Sequence, residues 1–205
     1  MGIFNPENSF WSFMGKVADV FFLSVLWLLL SLPLVTAGAA TVSALQFTLK
    51  QVRDEEGYLA RSYFKAFKAN FLQGTLLWLI TLVLLVFFFL DFYALFSLPA
   101  LGLFRVPLFS LLLVLFLLFL IDTMYVYPLV ALYRVKTKKA MHDALIMGFQ
   151  HPFFSLLLVL LWALAALAVW YAPPFFFIFI ALAFFFSSFL LRRVFSSYEP
   201  EPWRS

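Results

Sequence analysis

Charged positions along this chain are gathered into a few short clusters, and long apolar runs separate them. Between residues 69 and 133 the acids and bases other than tyrosine are Asp91, Arg105 and Asp122, and between residues 152 and 191 there is no charged residue at all. A soluble domain needs charge on every side, so runs of this length face a solvent that does not reward it. That solvent is lipid. An α-helix crosses a bilayer core with about 20 apolar residues, and the pattern predicts helices near residues 16–32, 39–52, 71–96, 106–133, 153–171 and 175–191. The expected fold class is all-α: a polytopic transmembrane helix bundle with six hydrophobic segments, forming one domain over residues 1–205.

The first apolar stretch, residues 17–49, contains Pro33 and Gly38. As one helix it would reach roughly 50 Å, well beyond a ~30 Å core. A break at Pro33, Thr36 and Gly38 turns it into a short helical hairpin. The alternative is five spans, with one long kinked first helix and the N-terminus outside. Thr36, Ala37, Ala39, Ala40, Thr41 and Ala44 are small, as close helix contacts in membranes require, so the second helix is expected inside the bundle. The small residues after Leu34 resemble a signal-peptide cleavage site, but the segment before them holds Lys16 alone and the apolar run is too long for a signal core. A retained first span is expected.

Composition agrees with the pattern. Hydrophobic residues are 65% of 205 and charged residues 12%, about half the share usual in soluble domains. There is no cysteine, which removes disulfides, thiolate metal sites and a cysteine nucleophile together. The formal net charge of +4 comes from basic clusters beside apolar spans. These are read as orientation signals, and no nucleic-acid partner is expected.

Those clusters set the expected orientation. Lys50, Arg53, Arg61, Lys65 and Lys68 precede the third span; Arg134, Lys136, Lys138 and Lys139 follow the fourth; Arg192, Arg193 and Arg204 follow the last. The opposite side holds Arg105. By the positive-inside rule these connections and both termini are cytoplasmic. Tyr63, Phe64, Phe67 and Phe71 share one helical face while Arg61, Lys65 and Lys68 share another, the pattern of an amphipathic helix in the headgroup plane. Ala140, Met141, Ala144, Leu145 and Gly148 form a weaker version. Either helix serves to orient its spans, or, more pointedly, Arg61, Lys65, Lys68, Phe64 and Phe67 dock a partner.

Three runs carry a resemblance: Leu32-Pro33-Leu34-Val35-Thr36-Ala37-Gly38, Asp54-Glu55-Glu56-Gly57-Tyr58 and Phe67-Lys68-Ala69-Asn70-Phe71. With Tyr127-Pro128-Leu129 further on, the chain resembles the YesL-like family of uncharacterised bacterial membrane proteins, although Ser24 stands where that family often has Asn. The resemblance implies a multi-pass protein of the bacterial plasma membrane, in a setting of carbohydrate uptake, with a sugar ABC transporter permease as the expected partner besides membrane lipid. It implies no activity.

Chemistry in the residues themselves is sparse. Asp122 is an acid inside a span, which is a functional hypothesis by default because a charge there is expensive. It lies roughly 18 Å along the helix from Arg134, and with Tyr125 and Tyr127 it is a candidate intramembrane polar site. The same acid is equally readable as structural, protonated or bonded to a neighbour. His142 and His151 lack further ligands at metal spacing, and nucleophile, P-loop and dinucleotide motifs are absent. The expectation is no enzyme, no cofactor and no metal. An accessory or scaffolding subunit of oligosaccharide uptake is the first functional reading, and a small-solute transporter or channel using Asp122 is the alternative.

Overall fold

The first apolar stretch forms a hairpin. In the computed structural model, which describes residues 9–53, 55, 57–97, 99–133, 135–196 and 198, α1 (Ser9–Ser31) and α2 (Ala37–Val52) are joined by a turn over residues 32–36. Pro33 cannot supply the amide that would continue α1. Leu34 takes a left-handed φ of 48°, and the Thr36 hydroxyl donates to the Leu30 carbonyl, which occupies one of the acceptors left open at the helix end. Trp27 Nε1 donates to Thr41 Oγ1 at 3.0 Å and Gln51 Nε2 to the Lys16 carbonyl at 3.4 Å, clasping the two helices antiparallel along their length. The single long helix behind the five-span alternative does not form. Gly38, expected within the break, is the second residue of α2.

Helix α2 is the centre of the bundle. Ala39, Ala40, Val42, Ser43 and Ala44 are fully buried, which is the interior position its small residues predict. Its closest neighbour is α3 (Leu59–Ser97). Asn70 of α3 donates to Gln46 Oε1 and to the Ala66 carbonyl, both at 3.0 Å. Tyr63 and Ala66 are buried while Phe64, Lys65, Lys68 and Phe71 are exposed, so the segment has two faces, but Phe64 and Phe71 stand on the outer one with the lysines and not with Tyr63 as the sequence pattern predicts. It does not lie in the headgroup plane. Residues 61–71 continue straight into the apolar span as one helix of 39 residues, roughly 58 Å long, so α3 stands well beyond a ~30 Å core.

A short 3-10 turn, Pro99–Phe104, with Gly102 at φ 45°, leads into α4 (Arg105–Tyr133). The two helices are zipped by phenylalanines: Phe88 meets Phe116 and Phe119 at 5.4 Å between ring centres, and Phe96 meets Phe109 at 6.0 Å, distances typical of favourable edge contacts. Next, α5 (Thr137–Gln150) turns back and packs along α4 instead of along the membrane plane. Its buried stripe is Ala140, Ala144, Met147 and Gly148. A Cβ on Gly148 would stand 2.4 Å from Ile121 Cγ2, so the absence of a side chain there is what lets the two helices meet. The last pair, α6 (Pro152–Tyr171) and α7 (Phe176–Phe195), is joined by the turn Pro173–Phe175.

Four stretches are long and apolar enough to cross a membrane: Leu59–Ser97, Gly102–Tyr133, Pro152–Tyr171 and Pro173–Phe195. Large apolar side chains such as Val83, Phe87, Leu90 and Val106 are exposed around the outside, an apolar surface that only lipid or another apolar partner covers. The polar ends are sorted. Arg192 Nη1 donates to the Val52 carbonyl at 2.6 Å, so α2 and α7 end together, and the Gln51–Lys16 bond brings Lys16, two turns into α1, to the same place. Arg134, Arg204, Asp54, Glu56 and both chain termini lie outside the described residues.

Candidate functional site

Asp122 lies on the inner side of α4 and is nine-tenths buried. Its Oδ1 is enclosed and has no hydrogen-bond partner among the described residues. The two tyrosines expected beside it are both buried, but they point different ways. Tyr125 is three residues on, on nearly the same side of the helix, and its hydroxyl shares a hydrogen bond with Ser155 Oγ at 3.1 Å; Ser155 in turn reaches the Gly148 and His151 carbonyls at 3.0 Å. This set ties α4 to the joint between α5 and α6. Tyr198 reinforces the joint from the far side through Gln150. Tyr127, five residues beyond Asp122 and so well round the helix, donates to Thr81 Oγ1 of α3 at 3.1 Å. Asp122, Tyr125 and Tyr127 therefore do not converge on one polar site.

Tyr127 instead lines a cleft of about 240 Å³ where α2, α3, α4, α6 and α7 meet. Its residues with polar groups are Thr41, Trp78, Thr81, Thr123, Tyr127, Trp162 and Ser187, and neither Asp122 nor Tyr125 lines it. Most of these hydroxyls are already committed. Thr41 donates to the Ala37 carbonyl at 2.8 Å, Thr81 to Leu77 at 2.9 Å and Thr123 to Leu120 at 2.7 Å, the back-bonding that satisfies Ser and Thr in apolar helices. Two groups are not. Trp78 Nε1 and Ser187 Oγ are enclosed without a partner among the described residues, and Ser187 as a whole is 1% exposed. Trp162, which also lines the cleft, meets Phe184 edge to face at 5.3 Å. Sequence reasoning missed Trp78 and Ser187 because a lone Trp or Ser in a span is ordinary. The available signal was a tryptophan midway along an apolar run, where its N–H has no water to bond.

The residues expected to dock a partner are placed as follows. Arg61, Phe64, Lys65 and Lys68 are exposed, and Phe67 is half-buried against Phe71 at 5.6 Å between rings. They lie along the first turns of α3. The residues of the helix break have structural partners: Thr36 holds the turn, and Gly38 lies against α3. Among the described residues no group of three His, Cys, Asp or Glu side chains is placed to hold a metal ion, and His142 meets the adjacent Asp143 at 3.5 Å.

No curated protein and no solved structure matches the chain. A family model does, over residues 20–92, and its description is protein of unknown function, DUF624. The match begins inside α1, contains all of α2 and runs most of the way along α3, so it covers the hairpin, the Thr36 turn and the Gly38 contact. Over that tightly packed unit, the chain is similar to a family of uncharacterised proteins.

Proposed function

We propose that this protein is a YesL-like accessory or scaffolding subunit of bacterial carbohydrate uptake, working beside a sugar ABC transporter permease in the plasma membrane. In this reading it has six spans, and both termini are cytoplasmic with the basic connections. The substrate class comes from the sequence resemblance. The observation that carries a docking role is the length of α3: a single helix of 39 residues exceeds the bilayer core by several turns, and its projecting part exposes Arg61, Phe64, Lys65 and Lys68. A continuous helix holds such a surface at a fixed height and angle, which a flexible loop does not. Aromatic and basic side chains on a rigid element suit a protein interface.

The test is co-purification from mild detergent. Reversing the charges (Arg61→Glu, Lys65→Glu, Lys68→Glu) is expected to release the permease while protein level and topology stay normal. Topology is measured in the same variant, because these residues also contribute to membrane orientation. Sugar flux through the purified chain alone in vesicles would overturn the accessory reading. One observation favours the second reading, a transporter or channel: the buried, unpartnered Oδ1 of Asp122, an arrangement usually found where an acid serves a pathway.

A further inference from the structure

We propose that the seam between α3 and α4 receives a membrane-spanning helix of another protein, one that carries a lysine or arginine at the depth of Asp91. Asp91 is the acid in the apolar run of α3. It lies six residues before the end of that helix at Ser97, roughly 9 Å in and far from the exposed Arg61, Lys65 and Lys68 at its start. Acids within a span almost always face the bundle interior or meet a base. Asp91 is instead half-buried in a groove of about 280 Å³ that opens outward between α3 and α4. No hydrogen-bond or ionic partner reaches its carboxylate among the described residues. Its base therefore comes from outside this bundle.

The groove has the form a helix fits. Its walls are two stripes at helical spacing, Asp91, Ala94 and Leu95 on α3 and Leu108, Leu111 and Leu115 on α4. Leu95 is buried and the three α4 leucines are exposed, so an apolar floor and open rim surround one acid. Ala94 is small, which admits the close approach that helix contact in lipid requires. The walls are held in place without the partner, because Phe92 and Phe96 both meet Phe109 at 6.0 Å. A lipid amine fits less well, since it belongs to the headgroup layer and Asp91 lies nearly two turns below the helix end. A second copy of this chain brings no base: besides tyrosines and Asp91, the ionisable side chains between residues 69 and 133 are Arg105 and Asp122, and between 152 and 191 there is none. Arg105 is already engaged. An acid–base pair in hydrocarbon also fixes register, because sliding either helix by a turn leaves two charges unpaired.

The probe is a synthetic helix of about 20 leucines with one lysine six residues from its end, the depth of Asp91 in α3. A second peptide keeps leucine at that position and a third has glutamate. Each is labelled and reconstituted with the full chain in phosphatidylcholine vesicles, and energy transfer is followed against peptide mole fraction. No permease is present, so the result is independent of the docking surface at the start of α3. The lysine helix is expected to bind saturably, and the other two about tenfold more weakly, the loss of one charge-assisted bond. Asp91→Asn should weaken binding of the lysine helix by the same factor, and Ala94→Phe, which fills the groove but keeps the acid, should weaken it as well. Asp143→Asn, at the acid beside His142 on α5, should leave it unchanged. Replacing half of the lipid by phosphatidylethanolamine should not displace the lysine helix. Displacement would show that a lipid amine holds Asp91, and equal binding of the lysine and leucine helices would reduce the groove to an apolar seam. No binding of the lysine helix, or binding indifferent to Asp91→Asn, would show that the acid is satisfied in lipid by itself, and each of these results overturns the proposal.

Discussion

Gly38 and Gly74 meet backbone to backbone at the crossing of α2 and α3. A Cβ on Gly38 would stand 2.2 Å from the Gly74 carbonyl oxygen and 2.4 Å from Trp78 Cβ, and one on Gly74 would stand 2.8 Å from the Ala39 Cα. All three distances are below any real Cβ contact, and at both glycines the atoms that must move include backbone. Small residues that admit such an approach are the main source of helix adhesion in lipid, where burial of apolar surface gives no drive. Gly38→Ala and Gly74→Ala should each destabilise the protein by about 1–3 kcal/mol. Because the two clashes share one displacement of α3, the double variant should cost less than the sum. Unfolding in mixed micelles measures all three, and full additivity would mean that the helices relax independently at the two sites.

The Tyr125–Ser155 bond should couple α4 to the joint between α5 and α6. A double-mutant cycle with Tyr125→Phe and Ser155→Ala is expected to give a coupling of about 0.6 kcal/mol, and not above about 1.7 kcal/mol, the range for hydrogen bonds between membrane helices. A zero coupling would show that Ser155 spends its bond on the Gly148 and His151 carbonyls alone.

Asp122 separates the two functional readings. Its Oδ1 is buried without a partner, so Asp122→Asn removes a potential charge from the interior and should leave thermal stability equal or higher. Under the accessory reading, growth on the relevant oligosaccharide is unchanged in this variant. Loss of growth at normal protein level would transfer the assignment to transport through an Asp122 site.

Orientation is tested by tags. Because Lys16, Val52 and Arg192 meet at one end of the bundle, tags at the two termini should be equally protected from an impermeant reagent in intact cells and equally labelled after lysis. A tag between residues 99 and 104 should behave oppositely. Unequal labelling of the two termini would contradict the hairpin of α1 and α2.

Much of the architecture was legible because its causes are local. Apolar run lengths placed the helices, and Pro33 placed the turn since its missing amide acts wherever it stands. The small residues after Thr36 announced a buried helix for an equally direct reason: only small side chains permit backbone contact.

The continuity of α3 was not legible, because an amphipathic segment next to an apolar one reads identically whether the chain bends between them or runs straight. Nor was the reversal of α5 onto α4, which depends on Ile121 finding the bare face of Gly148. The candidate site shows the difference most clearly. Asp122, Tyr125 and Tyr127 are neighbours in the chain, yet Tyr125 bonds the α5–α6 joint and Tyr127 faces α3, where it lines a cleft with Trp78 and Ser187 from helices distant in sequence. Hydropathy by itself determined that this chain is a helical membrane protein and where its segments turn, since transfer into lipid is a sum over single residues. Which way each helix is rotated, and therefore which polar atoms face one another, was decided by the tertiary structure, because lipid rewards all apolar faces alike and only the fit against neighbouring helices distinguishes them.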